Sequence, residues 1–415
     1  MSSQTQTCNP TIAKHDQFMT INFGRYPIVM ERGQGVRLWD DTGKQYLDMF
    51  SGFGAGILGH CHPDLVQAVT EQANKLWHVG NLLHTKPQTD LAEAISKHGF
   101  DGRSFFCHTG ADANEAALKL ARLYGQANPS ASGKGRYKVI SATKSFHGRS
   151  FGTMPATGQE KVRQGFGPML PGYTNVPFND LAAIEAAIDE ETVAVIVEPI
   201  QGEGGVNMPA DDYLPNLRAL CDKHDMLLIC DEVWTGCGRT GKYFAHQHWG
   251  ITPDMMTLAK GVGGGLAVGV MCAHERVAKH FDYRTLGTVV HATTLGGNCL
   301  AMAVAAKVFE VIERDNLTDH ANAMNKHIVD RLSKLKNAGI TDIRGKGLFI
   351  GVELDIASSD TWYSNVSEVV NKCLDRGVLL NGTQNNVLRI APPLCITEAE
   401  LDEGLDVLQD VLLNQ

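Results

Sequence analysis

The sequence predicts an α/β protein, with a mostly parallel sheet covered by helices on both faces and a smaller α+β part beside it. Three patterns predict it. Short apolar runs stand at 104–107, 137–141, 193–197, 226–230, 255–258 and 267–272, nearly continuous rather than alternating, as strands buried on both faces require. Helical stretches at 115–124, 181–187 and 214–224 alternate with them, the signature of crossover units. Beyond residue 298 the alternation stops, and longer helices with isolated strands take over.

In chain order, residues 9–48 read as short strands and turns. Segments 36–40 and 45–48, separated by Asp41-Thr42-Gly43-Lys44, form a β-hairpin. A glycine-rich loop covers 51–59. An amphipathic helix at 64–76 carries Leu65, Val66, Ala68, Val69, Ala73 and Leu76. The alternating strands and helices follow. A long helix runs from about 298 to 314, and strands at 348–354 and 387–390 precede a final helix from about 398. A chain of 415 residues suggests two or three domains. The expected division is a large α/β domain over 55–297 and a small α+β domain built from 1–54 with 298–415.

Composition narrows the function. Lys plus Arg number 37 against 46 Asp plus Glu, a net charge of −9, which argues against a nucleic-acid partner but permits a local site for a small anion. Hydrophobic residues at 43% and charged residues at 20% exclude a disordered chain or a fibre. Ten cysteines form no CxxC pair, and several sit in apolar runs such as Met226-Leu227-Leu228-Ile229-Cys230, so reduced thiols are expected. The N-terminal MSSQTQTCNP has no apolar core, and no signal peptide is expected. The stretch 255–273 contains Lys260 and five glycines, and so fails as a membrane span. A cytoplasmic protein without a membrane partner is expected. His60-x-His62 and His246-x-His248 have no carboxylate or Cys at a suitable spacing, so no metal site is expected.

Two glycine motifs coincide at one place. Gly236-Cys237-Gly238-Arg239-Thr240-Gly241 satisfies G-x-G-x-x-G, and 236–242 satisfies G-x4-G-K, but Tyr243 stands where a magnesium-binding hydroxyl belongs. No convincing helix follows, and the preceding strand ends in Asp231-Glu232, so a tight turn is expected rather than an NAD or nucleotide site.

Chemistry concentrates at strand ends. Asp231 closes the buried run 226–230, where a carboxylate needs a cation or proton donor. Lys260 closes 255–259 and opens into Gly261-Val262-Gly263-Gly264-Gly265, a setting that lowers an amine's pKa and makes it a nucleophile. An ion pair across neighbouring strands is the plainer alternative for the two. Thr109-Gly110-Ala111-Asp112 ends a strand and starts a helix, as an anion site does. Phe146-His147-Gly148-Arg149, the Glu198 to Gly205 segment and His291-Ala292-Thr293-Thr294 lie at further strand or helix ends.

This arrangement resembles the pyridoxal-phosphate enzymes of the aspartate-aminotransferase fold (fold type I), and within them the acetylornithine/ornithine group of class-III aminotransferases. The resemblance runs along nearly the whole chain. It includes Leu58-Gly59-His60-Cys61-His62-Pro63, Thr109-Gly110-Ala111-Asp112-Ala113-Asn114-Glu115-Ala116, Phe146-His147-Gly148-Arg149, Asp231-Glu232-Val233, Gly238-Arg239-Thr240-Gly241, Ala259-Lys260, Gly296-Gly297-Asn298 and Arg389-Ile390-Ala391-Pro392-Pro393-Leu394. It implies that Lys260 holds the cofactor covalently and shuttles a proton, and that Asp231 pairs with its ring nitrogen. It further implies that Phe146 stacks on the ring, that Thr109, Gly110 and Ala111 grip the phosphate with Val233 beside the cofactor, and that Thr294 reaches the phosphate of a partner subunit in a homodimer with shared sites. Phe146 as ordinary core and Thr294 as a helix cap are the bland alternatives.

The resemblance also implies a substrate logic. Arg389 would take the α-carboxylate of glutamate or 2-oxoglutarate, Glu203 would mask it when the donor presents a bare methylene chain, and Arg149 would hold the donor's far carboxylate. N-acetylornithine is the expected donor, since Leu76-Trp77-His78 with Asn81, Gly24-Arg25-Tyr26-Pro27 and Leu380-Asn381-Gly382 suit that branch. Trp234 where relatives carry Gln, Phe23 where many carry Tyr, and the lengthened loop 287–294 depart from the pattern. They leave open succinylornithine, ornithine, lysine or 4-aminobutyrate as donor, and a dialkylglycine-decarboxylase reaction.

Overall fold

The computed structural model describes residues 9–335, 338–358 and 361–413, so Cys8 and the rest of the polar N-terminal octapeptide lie outside the described residues. Strands β1 (Met30–Gln34), β2 (Arg37–Asp40) and β3 (Gln45–Asp48) form an antiparallel meander. The expected hairpin turn is made by Asp40, whose Oδ1 accepts from the Thr42 N–H at 3.0 Å, the Thr42 hydroxyl at 2.7 Å and the Lys44 N–H at 2.9 Å, with Gly43 at φ +85°.

The central sheet has seven strands: β4 (Arg103–Cys107), β5 (Lys138–Ala142), β6 (Tyr173–Val176), β7 (Thr192–Val197), β8 (Leu227–Asp231), β9 (Met255–Leu258) and β10 (Gly269–Ala273). Their order is β4-β10-β9-β8-β7-β5-β6, and only β10 runs against its neighbours. Every residue of β7, β8, β9 and β10 is buried, which is why their sequences show no polar alternation. The pleat still sorts them. Ala194 and Ile196 of β7 face Ala117, Leu120 and Ala121 of the Gly110–Ala127 helix, while Val195 and Val197 belong to the opposite core with Leu214, Leu217, Val304 and Val308. Helices thus cover both faces, as expected.

Strands β11 (Ile340–Lys346), β12 (Phe349–Leu354), β13 (Val378–Leu379), β14 (Asn381–Thr383) and β15 (Val387–Ile390) come after the Cys299–Arg314 and Leu317–Leu332 helices. An antiparallel sheet is ordered β11-β12-β15-β14. Strand β13 instead joins the N-terminal meander, pairing in parallel with β3 through Leu47 with Val378. The Glu398–Leu412 helix closes the chain, started by a capping box between Thr397 and Glu400.

Three differences from the sequence reading have physical causes. Residues Pro10–Phe18 are helical, not extended: the Asn9 side chain accepts from the Thr11 N–H at 2.9 Å, and Pro10 occupies the first turn, where its missing N–H is harmless. The Lys86–His98 helix escapes notice because only Leu91 and Ile95 are buried, a seam one turn long. Strand β6 is an edge strand with only Val176 buried. The glycine motif at 236–241 is a turn. Its Arg239 is fully buried and donates to the carbonyls of Leu348 (3.0 Å) and Pro392 (2.5 Å), so the segment braces the C-terminal part.

Candidate active site

The parallel strands end on one rim of the sheet, and β10, running the other way, brings its amino end to the same rim. A cavity of about 510 Å³ opens there. Its wall takes residues 108–111 from the end of β4, 146–149 from β5, Glu198 and Glu203 from β7, Asp231, Val233 and Trp234 from β8, Ala259 and Lys260 from β9, and 266–268 from the start of β10. Ligand sites gather at such rims because the loops leaving the strands are free of sheet pairing.

An anion cradle follows from the start of the Gly110–Ala127 helix. Four backbone N–H groups at a helix start have no intrahelical acceptor. Here a capping box satisfies two of them: the Thr109 N–H donates to Asp112 Oδ2 at 3.1 Å, and the Asp112 N–H donates to Thr109 Oγ1 at 3.2 Å. The N–H groups of Gly110 and Ala111 remain, both at the cavity wall and at the positive end of an 18-residue helix. Position 110 must be glycine, because a Cβ there would stand 2.8 Å from Val233 Cγ1.

Asp231 ends β8 and is 4% exposed. Its Oδ2 accepts from Asn114 Nδ2 at 2.7 Å and lies 2.8 Å from His147 Nδ1, while Oδ1 accepts from the Val233 N–H at 3.0 Å. Asn114 is itself held by the His147 carbonyl at 2.8 Å and by the Thr257 hydroxyl at 2.7 Å. The carboxylate is therefore fixed by neutral donors and a histidine, and among the described residues no ion pair joins it to Lys260.

Lys260 sits just past β9 at φ +50°, a left-handed conformation that an L side chain adopts only under constraint. Its Nζ lies 4.0 Å from the centre of the Trp234 ring. Burial pulls the amine's pKa down to about 8, against the opposing pull of Glu203, Asp231 and Glu198 and with a further lowering from Arg389. Glu198 is also buried. Its carboxylate accepts from the Phe146 N–H at 2.9 Å and the Gly202 N–H at 3.0 Å, and burial, opposed by His147 and aided by Asp231, raises its pKa to about 7.

Phe146 and Arg149 both line the cavity, and the Arg149 guanidinium lies 5.4 Å from the Phe146 ring centre. Arg149 is exposed and, among the described residues, makes no ion pair. Arg389, by contrast, is 1% exposed and does not reach the cavity wall. Its Nη1 donates to Glu203 Oε1 at 2.9 Å, its Nε donates to Asn381 Oδ1 at 2.8 Å, and its Cζ stands 4.5 Å from the Trp234 ring centre.

The structure thus brings Thr109, Gly110, Ala111, Phe146, Arg149, Glu203, Asp231, Val233 and Lys260 to one cavity, with Arg389 behind Glu203. Thr294 is exposed and outside it, and the long helix is capped by Asn298, whose Oδ1 accepts from the Ala301 N–H at 2.9 Å, so Thr294 is not its cap. Asn114, His147 and Glu198 were given no role by the sequence reading. Asn114 carried the readable signal, a polar amide among the buried alanines of a helix face. Of the doubted histidines, His60 Nε2 lies 2.8 Å from Asp48 Oδ2 and His246 Nδ1 lies 3.0 Å from Glu232 Oε1. The residues present fit pyridoxal phosphate: two free N–H groups for a phosphate, a ring face, a fixed carboxylate and an amine of lowered basicity.

Comparison with known proteins gives the family. The sequence profile described as aminotransferase class-III matches residues 19–412. An acetylornithine aminotransferase of Caldanaerobacter subterraneus subsp. tengcongensis is 44% identical over 403 residues, 97% of this chain and 98% of that relative. A succinylornithine transaminase/acetylornithine aminotransferase of Pseudomonas aeruginosa is 42% identical, covering 95% of each chain. The ornithine aminotransferase of Toxoplasma gondii, crystallised with oxidised glutathione and holding pyridoxal phosphate at partial occupancy, superposes with a TM-score of 0.90 at 30% identity, over 99% of this chain and 96% of its own.

Proposed function

The chain belongs to the class-III aminotransferases, and we propose that it moves the terminal amino group of an ornithine-type donor, N-acetylornithine first, to 2-oxoglutarate in two half-reactions at one site. It is a pyridoxal-phosphate enzyme of fold type I. Pyridoxal phosphate, when bound, supplies an electron sink for the carbon that carries the amine. Every other part of the work falls to side chains of this protein. The N–H groups of Gly110 and Ala111, with the Thr109 hydroxyl, hold the phosphate. Asp231, locked by Asn114, His147 and Val233, keeps a proton on the ring nitrogen. Phe146 covers one ring face. Lys260 would hold the cofactor and, once the donor's amine has displaced it and left it a free amine, would move a proton between the substrate carbon and the cofactor carbon on the far side of the shared nitrogen.

The observation that carries the reading is Arg389 shut out of the cavity by Glu203 while Arg149 stands unpaired at its wall. With Lys260 and the Gly110–Ala111 cradle given over to the cofactor, this closed arrangement leaves a carboxylate Arg149, so a donor would lead with an uncharged chain and trail its carboxylate. When Glu203 moves aside, Arg389 receives the α-carboxylate of glutamate and Arg149 the far one. Glu203→Ala is expected to lower kcat/KM for the N-acetylornithine half-reaction about tenfold or more while the glutamate half-reaction stays within about threefold. Single-turnover absorbance separates the two, and equal losses in both end the switch assignment.

Two further features support a homodimer. Thr294 is exposed, and the loop that bears it is tied through Asn81, which donates to the Thr293 and Gly296 carbonyls at 3.1 and 3.0 Å, to a segment exposing Trp77, Leu82 and Leu83. Apolar groups of this size left in water mark an interface. Among the described residues no helix is long and apolar enough to cross a membrane.

The lowered pKa of Lys260 gives a pH test. Below about 8 the amine is protonated and has no lone pair for an aldehyde; above it the free base predominates. Uptake of pyridoxal phosphate by the cofactor-free chain is expected to quicken about tenfold per pH unit below 8 and to level off above it. Stopped-flow absorbance reads this, and a rate flat from about pH 6 to 9 contradicts it.

A further inference from the structure

We propose that Trp234 is a positioning residue that fixes the Arg389 guanidinium by its indole face, so that one edge alone is offered to the acceptor's α-carboxylate. The inference rests on Arg389 receiving that carboxylate. Three sides of the guanidinium are accounted for. Its Cζ lies over the indole, 4.5 Å from the Trp234 ring centre, its Nε and Nη2 both donate to Asn381 Oδ1, and its Nη1 donates to Glu203 Oε1 at 2.9 Å and to the Gly202 carbonyl at 3.4 Å. Departure of Glu203 therefore frees Nη1 of its carboxylate partner, while the Asn381 contacts, the Gly202 carbonyl and the indole stay in place. A cation stacked on an aromatic face keeps its plane while its edge partners exchange.

The indole has a prepared slot. Phe349 stacks behind it, with ring centres 5.2 Å apart and planes at 29°. Gly202 and Gly54 flank it: a Cβ on Gly202 would stand 2.9 Å from Trp234 Cε3, and one on Gly54 would stand 2.6 Å from Trp234 Nε1. The Nε1 atom is buried and, among the described residues, has no hydrogen-bond partner, and the residue is 5% exposed. A leucine or phenylalanine would fill this slot without leaving a polar atom unpaired. What the indole adds is the breadth of its π face, which meets Arg389 and, at 4.0 Å, the Lys260 amine.

The test compares Trp234→Leu, which keeps bulk without a ring, with Trp234→Phe, which keeps a ring face. 2-Oxoglutarate is titrated into the cofactor-loaded protein, where no amino group is available to transfer, and binding is followed by thermal shift. Trp234→Leu is expected to weaken binding about tenfold, and Trp234→Phe to recover it to within about threefold of the parent. In half-reactions, the Trp234→Leu loss with glutamate is expected to exceed the loss with N-acetylornithine about tenfold, and to fall on KM rather than kcat. Gly202→Ala, whose Cβ would press on the indole at Cε3 without removing it, should shift 2-oxoglutarate binding in the same direction. Parent-like binding in Trp234→Leu, equal weakening in Leu and Phe variants, or equal losses in both half-reactions overturns the proposal. Arg389→Ala separates the two levels of argument: if it binds 2-oxoglutarate like the parent, the assignment of Arg389 itself fails.

Discussion

Lys260→Ala is expected to reduce turnover by about ten-thousandfold or more, the largest effect of any single substitution in this chain. The lysine has two duties that no neighbour can take over. Among the described residues it is the only lysine lining the cavity, which suits it alone to anchor an aldehyde, and in the proposed mechanism it is also the base that moves the proton in each half-reaction. Its neighbours are unsuited. Arg149 is a guanidinium with N–H donors and no acceptor, Asp231 is committed to Asn114, His147 and Val233, and Glu198 is held by two backbone N–H groups. Truncation removes a contact with Trp234 but leaves the Asp231 network intact, so the variant should fold. In the parent protein, borohydride should bleach the visible absorption and leave a cofactor-derived label on Lys260. A Lys260→Ala protein with parent-like turnover, or a label on another residue, refutes the mechanism.

Asp231→Asn is expected to cost about a thousandfold in turnover. The substitution preserves shape and removes charge. An amide in place of the carboxylate turns one acceptor oxygen into a donor, which then faces either the Val233 N–H or the pair formed by Asn114 Nδ2 and His147. Stability should fall by about 1–3 kcal/mol, too little to unfold a domain of ordinary stability. The gap between a modest stability loss and a large kinetic one separates an electronic role from a structural one. Denaturant titration beside single-turnover kinetics measures both, and a variant that loses stability but keeps its rate would show Asp231 to be architectural. The Glu198 carboxyl supplies a second signal: Asp231 helps to raise its pKa, so the neutral amide should let it fall.

Asp231 and Lys260 were legible in the sequence because each is a charged residue ending an apolar run, a placement that burial penalises unless something uses it. The strands were legible for the same reason: β7, β8 and β9 are buried on both sides and contain almost nothing polar. What Asp231 touches was not legible. Asn114 lies 117 residues away and His147 lies 84 away, and only the sheet order brings them together. The recess of Arg389 behind Glu203 depends likewise on β15 pairing between β12 and β14. Trp234 stood out as a departure, but the two glycines that make room for it belong to distant segments, and their meaning appears only when a Cβ is placed on each. The helices at Lys86–His98 and Pro10–Phe18 were missed because one buries a seam of two residues and the other buries none.

The pairing of β3 with β13 carries a consequence for biosynthesis. Leu47 leaves the ribosome early, yet its strand partner Val378 is made some 330 residues later. At roughly 5–20 residues per second, the nascent chain waits tens of seconds with that strand edge bare. Translation must be nearly complete before the first sheet can close, so chaperone dependence and aggregation during overexpression should concentrate at this edge rather than in the central strands.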